Sequence, residues 1–181
     1  MGFYLNSTSA CGLFREEASR TYFVDKTAIL RELVPILETN ESAPEGRGAI
    51  RGGFQKYVCI TRPRRFGKTV MANMIASFFG KGEDSRQVFD SLQAASFPWY
   101  QEHLNRHNVI HIMFNEMPER CRSYGQYIDR IKEILLDDLS ASYPSVKVRE
   151  TDAVWDVLRR IYEYCGGEKF IFVLDEWDFI Y

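Results

Sequence analysis

The spacing of apolar positions changes several times along the chain, and each change marks an element. In "AILRELVPIL", residues 28–37, Leu30, Leu33, Val34 and Leu37 recur at helical spacing. Asp25 stands where a cap belongs, and Pro35 is expected to kink or end the helix. The residues before Thr21 show no clear period and read as an irregular start. Residues 40–55 are polar and glycine-rich, as in a long surface loop. "YVCIT", 57–61, is a short apolar run rich in β-branched residues, consistent with a buried parallel strand. Val70, Met71, Met74, Ile75 and Phe78 then mark a helix ending near Gly80.

Two short helices are expected in 85–92 and 98–105, and "VIHIMF", 109–114, reads as a second strand. From Tyr127 to Leu139, Ile128, Ile131, Leu135 and Leu139 share one helical face. Thr151 or Asp152 opens a further helix with Val154, Val157, Leu158 and Ile161 inside and Gly166-Gly167 at its end. "FIFVL", 170–174, is the third strand. Strands separated by helices give an α/β fold with a parallel sheet.

Composition narrows the class. The 181 residues are 45% hydrophobic and 27% charged, enough for one domain with a real core. A net charge of -2 argues against wholesale attraction to nucleic acid or an anionic membrane, so anion binding must be local. Cys11, Cys59, Cys121 and Cys165 are far apart, which fits neither a zinc site nor a disulfide framework. The N-terminus lacks the pattern of a signal peptide and no apolar run is long enough to span a bilayer. A cytoplasmic protein without a membrane partner is therefore expected. His103, His107 and His111 repeat every four residues, but the strand at Val109 interrupts any metal-binding helix face, and exposed polar histidines are expected. Asp137-Asp138 are expected on a solvated helix face, Cys59 as buried filler, and Trp177 in packing.

The candidate chemistry lies in "RPRRFGKT", residues 62–69. Gly67-Lys68-Thr69 sits between the first apolar strand and a helix, where free N–H groups and the positive dipole end meet an anion. In a P-loop, Lys68 reaches the β- and γ-phosphates and the Thr69 hydroxyl ligates Mg²⁺. The pattern G-x-x-x-x-G-K-[ST] requires glycine at 62, and this chain has Arg62. Pro63 biases the residue before it to extended geometry, so the loop is expected to turn late, between Arg64 and Gly67. Proline also donates no N–H, which leaves the cradle to the amides around Arg65, Phe66, Gly67, Lys68, Thr69 and Val70. A hundred residues on, Asp175-Glu176 ends the last apolar strand, at the edge of a parallel sheet where ligands bind. Asp175 is placed to hold Mg²⁺ through a water, and Glu176 to orient and deprotonate an attacking water.

These residues resemble the bacterial AAA-ATPase-like proteins, with their "Y-F-V-D-K-T" segment, "R-P-R-R-F-G-K-[ST]" loop and strand ending "D-E-[WY]-D". Here the three motifs are Tyr22–Thr27, Arg62–Thr69 and Asp175–Asp178. The resemblance implies a P-loop NTPase three-layer α/β fold, binding of ATP with Mg²⁺, and catalysis by Lys68 and Glu176. It gives Asp25 and Lys26 a role, with packing against the nucleotide end of the sheet as one reading and a helix cap as the other. Family members continue past the second motif, many into a nuclease-like domain that would bring a nucleic-acid partner. A later strand then lies between the two motif strands. On that basis residues 1–56 form an N-terminal helical and loop region. Residues 57–181 form a partial ATPase core, truncated, poorly stable alone or with its motif strands paired in another way. Hydrolysis is then expected only in a full-length form. Two further readings stay open: a basic loop for nucleic-acid phosphates, with Phe66 stacking on a base, and a nucleotide switch without turnover. The sequence leaves the oligomeric state open.

Overall fold

A computed structural model describes residues 2–39, 57–61, 63, 65–149 and 151–180. In chain order its helices and strands are α1 (Ser9–Ala18), α2 (Leu30–Thr39), α3 (Lys68–Phe79), α4 (Arg86–Phe89), α5 (Tyr100–His103), β1 (Asn108–Met113), α6 (Tyr124–Ser142), α7 (Val154–Tyr164) and β2 (Phe170–Asp175). Strands β1 and β2 pair in parallel, with Asn108 opposite Phe170 and Met113 opposite Asp175. The α/β expectation holds at this level.

Alternation along the two strands feeds two separate cores. Val109, Ile171 and Val173 face α3, where Met71, Met74, Phe78 and Phe79 join Phe14 of α1 and Phe89 of α4. Ile110, Ile112 and Phe170 face the other way, against Tyr127, Ile131, Leu135 and Leu139 of α6 and Val157 and Ile161 of α7. Helices therefore cover both faces of the sheet. The outer edge of β1 is taken by residues 4–6, which run antiparallel to it. Asn6 N donates to Val109 O at 2.8 Å and His111 N to Tyr4 O at 3.0 Å.

Asp138 holds that strap in place. Its carboxylate accepts from the backbone N–H of Phe3 (2.8 Å), Tyr4 (2.7 Å) and Leu5 (3.0 Å). The solvated-face expectation fails here: Asp137 is exposed, but Asp138 is buried, because three peptide donors replace its water.

Other expectations are also corrected. Residues 57–61 form no strand, and Tyr57, Val58 and Cys59 are exposed; only Ile60 packs partly against the α3 core. A β-branched run becomes a strand only when a neighbour takes its peptide groups, and among the described residues β2 pairs with β1 instead. Cys59 is accordingly not core filler. Helix α1 replaces the irregular start; it buries Ala10, Cys11 and Phe14, a stripe too short and small-sided to stand out. Helix α2 runs through Pro35, which lies on its exposed side, where water can take the carbonyl left by the missing N–H. His103 and His111 are buried rather than exposed. His103 stacks on His107 with Nδ1···Nε2 at 2.9 Å, and His111 lies in β1 facing α3. Trp177 is 53% exposed, so packing accounts for only part of its surface. The expected loop over 40–55 lies outside the described residues.

Replacing Asp138 with alanine strands three backbone donors. It should lower the unfolding free energy by about 2–3 kcal/mol in urea denaturation, while Asp137→Ala stays within about 0.5 kcal/mol.

Candidate functional site

The carboxyl end of α3 is tied to the amino end of β1. His107 N donates to Phe79 O at 2.8 Å, Lys81 N to His107 O at 3.1 Å, and Asn105 N to Phe78 O at 2.7 Å. The Asn105 side-chain amide adds bonds to Ser77 O and Gly80 O. Helix α3 has 12 residues and spans about 18 Å, close to the ~20 Å of a six-residue strand. A helix of that length running back along the sheet from that anchor would bring its amino end, with Lys68 and Thr69, toward the strand ends that carry Asp175 and Glu176; residues 57–61 contribute no strand to the sheet.

The loop that enters α3 turns late. Phe66 N donates to Pro63 O at 3.3 Å, Arg65 has φ 67° and Gly67 has φ 72°. At Gly67 the left-handed conformation suits glycine, and a Cβ there would come 3.2 Å from Lys26 Nζ. Arg65 adopts the same region with a side chain, at a cost of order 1–2 kcal/mol. Lys68, Thr69 and Val70, the first turn of α3, are half-buried, and Arg65 and Phe66 are exposed. Gly67 O accepts from Met71 N at 3.1 Å, so the helix ladder begins within the loop.

The other motif is also bent. Asp175 is 6% exposed and, by strand alternation, shares the α3 side of the sheet with Ile171 and Val173. Its Oδ1 accepts from Glu176 N at 3.0 Å, and its buried Oδ2 has no hydrogen-bond partner among the described residues. Asn73 Oδ1 of α3 and His111 Nε2 of β1 are buried and unpartnered in the same way. Burial holds the His111 imidazole below the ordinary histidine range, with the Asp175 charge opposing the shift. Glu176 is half-buried at φ 52°, a left-handed glutamate directly after the strand. Residues 177–180 then form a 3₁₀ turn, pinned where the Tyr124 hydroxyl donates to Phe179 O at 2.6 Å. Asp178 is exposed on that turn.

Sequence reasoning left Asp25 and Lys26 between two readings, and the structure gives both a physical task. Asp25 Oδ1 accepts from Thr27 N (2.8 Å) and Thr27 Oγ1 (2.7 Å) where the 3₁₀ turn Thr27–Ile29 begins, while the cap position itself is Lys26. Its Oδ2 accepts from Gln93 N at 2.7 Å, and Thr27 Oγ1 accepts from Ala94 N at 3.0 Å. The segment is thereby bolted to the 93–96 turn. Lys26, held between these two anchors, donates from Nζ to Phe66 O at 3.1 Å, inside the glycine loop. The spacing D-K-T was the available signal: an acid and a hydroxyl two residues apart, with a cation between them.

An α/β protein whose glycine loop opens a helix at the strand-end side of a parallel sheet belongs to a class that suits anionic ligands. The model of the AAA-ATPase-like family, described as "Predicted AAA-ATPase", matches residues 53–180, and the chain belongs to that family. The family is one of nucleotide-binding, ATPase-like proteins. No curated protein and no solved structure matches. Among the described residues no helix is long and apolar enough to cross a membrane.

Asp25→Ala removes the local bonds to Thr27 and the long-range tie to Gln93 together. The expected loss is about 1–2 kcal/mol in thermal or urea unfolding, with faster amide exchange at residues 27 and 93–94.

Proposed function

We propose that this chain is the ATP-binding core of an AAA-like ATPase, acting with Mg²⁺. The observation that carries the reading is the buried Asp175 Oδ2 at the end of β2, which has no hydrogen-bond partner among the described residues. Amides at Arg65, Phe66, Gly67, Lys68, Thr69 and Val70 would meet the phosphates, helped by the amino end of the α3 dipole. Lys68 would neutralise the β- and γ-phosphate oxygens from the first helical turn.

The residues fit a hard divalent cation. Asp175 keeps one oxygen on the Glu176 N–H, its other oxygen has no hydrogen-bond partner among the described residues and would take a metal-bound water, and the Thr69 hydroxyl would be a second oxygen donor. When bound, Mg²⁺ supplies charge stabilisation to the phosphates. Glu176 would accept the proton of the attacking water, its carboxylate aimed by the left-handed backbone. Hydrolysis is proposed for a full-length form. A nuclease-like domain, a nucleic-acid partner and a bacterial setting remain expectations of the family likeness, and a cytoplasmic setting remains an expectation of the sequence.

The nucleic-acid reading draws on the exposure of Arg65 and Phe66. Salt-dependent binding of single-stranded DNA, unchanged by ATP, would favour it over nucleotide binding.

Isothermal titration should detect ATP binding that strengthens with Mg²⁺. Lys68→Ala should weaken it at least tenfold, Asp175→Asn should remove the Mg²⁺ dependence, and Glu176→Gln should leave binding intact. Absence of ATP affinity in the unaltered protein would refute the reading.

A further inference from the structure

Three groups able to ligate a metal meet beside Phe79, the last residue of α3. Glu38 comes from the last turn of α2, and Glu102 and His103 come from α5. One oxygen of each carboxylate and one ring nitrogen all lie within 4.8 Å of one another. Among the described residues no other group of histidine, cysteine and acidic side chains converges in this way. The four-residue histidine repeat is not the source of the cluster: His103 meets two acids, and His107 stands behind its ring.

We propose that Glu38, Glu102 and His103 form a binding site for a divalent transition-metal ion of the Zn²⁺ type, with His107 orienting the ligating ring. Spacing is the first argument. His103 Nε2 stands 3.4 Å from Glu38 Oε1, longer than the ~2.9 Å usual for a hydrogen bond. Two atoms bound at ~2.0–2.2 Å to a tetrahedral Zn²⁺ stand roughly 3.3–3.6 Å apart, which is the separation found. Both glutamates are exposed, so small side-chain rotations can bring the third ligand in.

The ring is the second argument. His103 is 7% exposed, held edge-on by Phe79 and Trp99, and nearly parallel to the His107 ring. Its Nδ1 lies 2.9 Å from His107 Nε2. With the proton on Nδ1 and donated to His107, the Nε2 lone pair is presented on the side of Glu38. Metal-bound histidines are fixed in this manner, by a bond from the nitrogen that does not ligate.

Charge is the third argument. Glu38 sits at the carboxyl end of α2, where the helix dipole is negative and the last turn holds no basic residue. A second carboxylate beside it adds to the same negative field, and a dication reverses the sign of the interaction. An imidazole among the ligands favours Zn²⁺ over Mg²⁺ or Ca²⁺, which take oxygen donors. The site is therefore separate from the Asp175 site in place and in metal preference, and it stands without the nucleotide reading. A bound ion would join α2 to α5 next to residues 105–107, the anchor of α3.

The test titrates Zn²⁺ into the unaltered protein and into Glu38→Gln and Glu102→Gln by calorimetry. Both substitutions are at the surface and keep side-chain size, so folding should survive, and circular dichroism checks it. The expected result is Zn²⁺ binding that weakens at least tenfold in each variant, together with a rise in the melting temperature on adding Zn²⁺ that each variant diminishes. The chain has three histidines, so the imidazole nitrogen NMR spectrum identifies the ligand. Zn²⁺ should shift His103 Nε2, leave its proton on Nδ1 and leave His111 unmoved. No Zn²⁺ binding, an unchanged affinity in both variants (an ion held elsewhere, as on a cysteine), or a shift confined to another histidine would overturn the site.

Discussion

Everything at the candidate site depends on how α3 lies across the sheet. The helix is fixed at its far end by the bonds of Phe78, Phe79 and Lys81 to residues 105–107, and along its length by Val109, Ile171 and Val173. Its direction follows from that anchor. A helix antiparallel to the strands brings its unsatisfied N–H groups to the carboxyl ends of β1 and β2. Packing of apolar side chains thus decides where charge can be received. Nothing in the loop itself could achieve this, since the loop is only the path by which the chain reaches the start of the helix.

Strain is concentrated at the two motifs. Among the described residues four other than glycine have positive φ, and two of them, Arg65 and Glu176, lie in the loop and directly after Asp175. Left-handed backbone at a side chain of this size persists only where neighbours enforce it. For Arg65 the enforcement comes from the Phe66–Pro63 turn and from Lys26 on Phe66 O. For Glu176 it comes from Asp175 Oδ1 on its N–H and from Phe179 N on its carbonyl.

Much of the fold was legible because periodicity reports local burial. Helices α6 and α7 carry long one-sided stripes, and β1 and β2 are apolar runs bounded by polar residues. What stayed hidden was set by partners distant in sequence. Asp138 looks like a surface acid until residues 3–5 bring their N–H groups to it. The run at 57–61 looks like a strand because sequence shows side-chain character and not the presence of a neighbour. In the candidate site, the glycine loop and the acidic strand end could be read from residue type. The Lys26 contact could not, because it joins residues forty positions apart.

The strap at the amino terminus has a consequence for the order of folding. The bonds from Phe3, Tyr4 and Leu5 to Asp138 span 133–135 positions, so closing them spends nearly the whole chain's loop entropy. On a ribosome residues 3–5 must wait for the Asp138 carboxylate until residue 138 has emerged. β1 gains its partner strand later still, when 170–175 emerge. Helices α1 to α5 can gather round their shared aromatic core before either event, which makes the α3 layer the earlier-assembled half and the sheet its late completion.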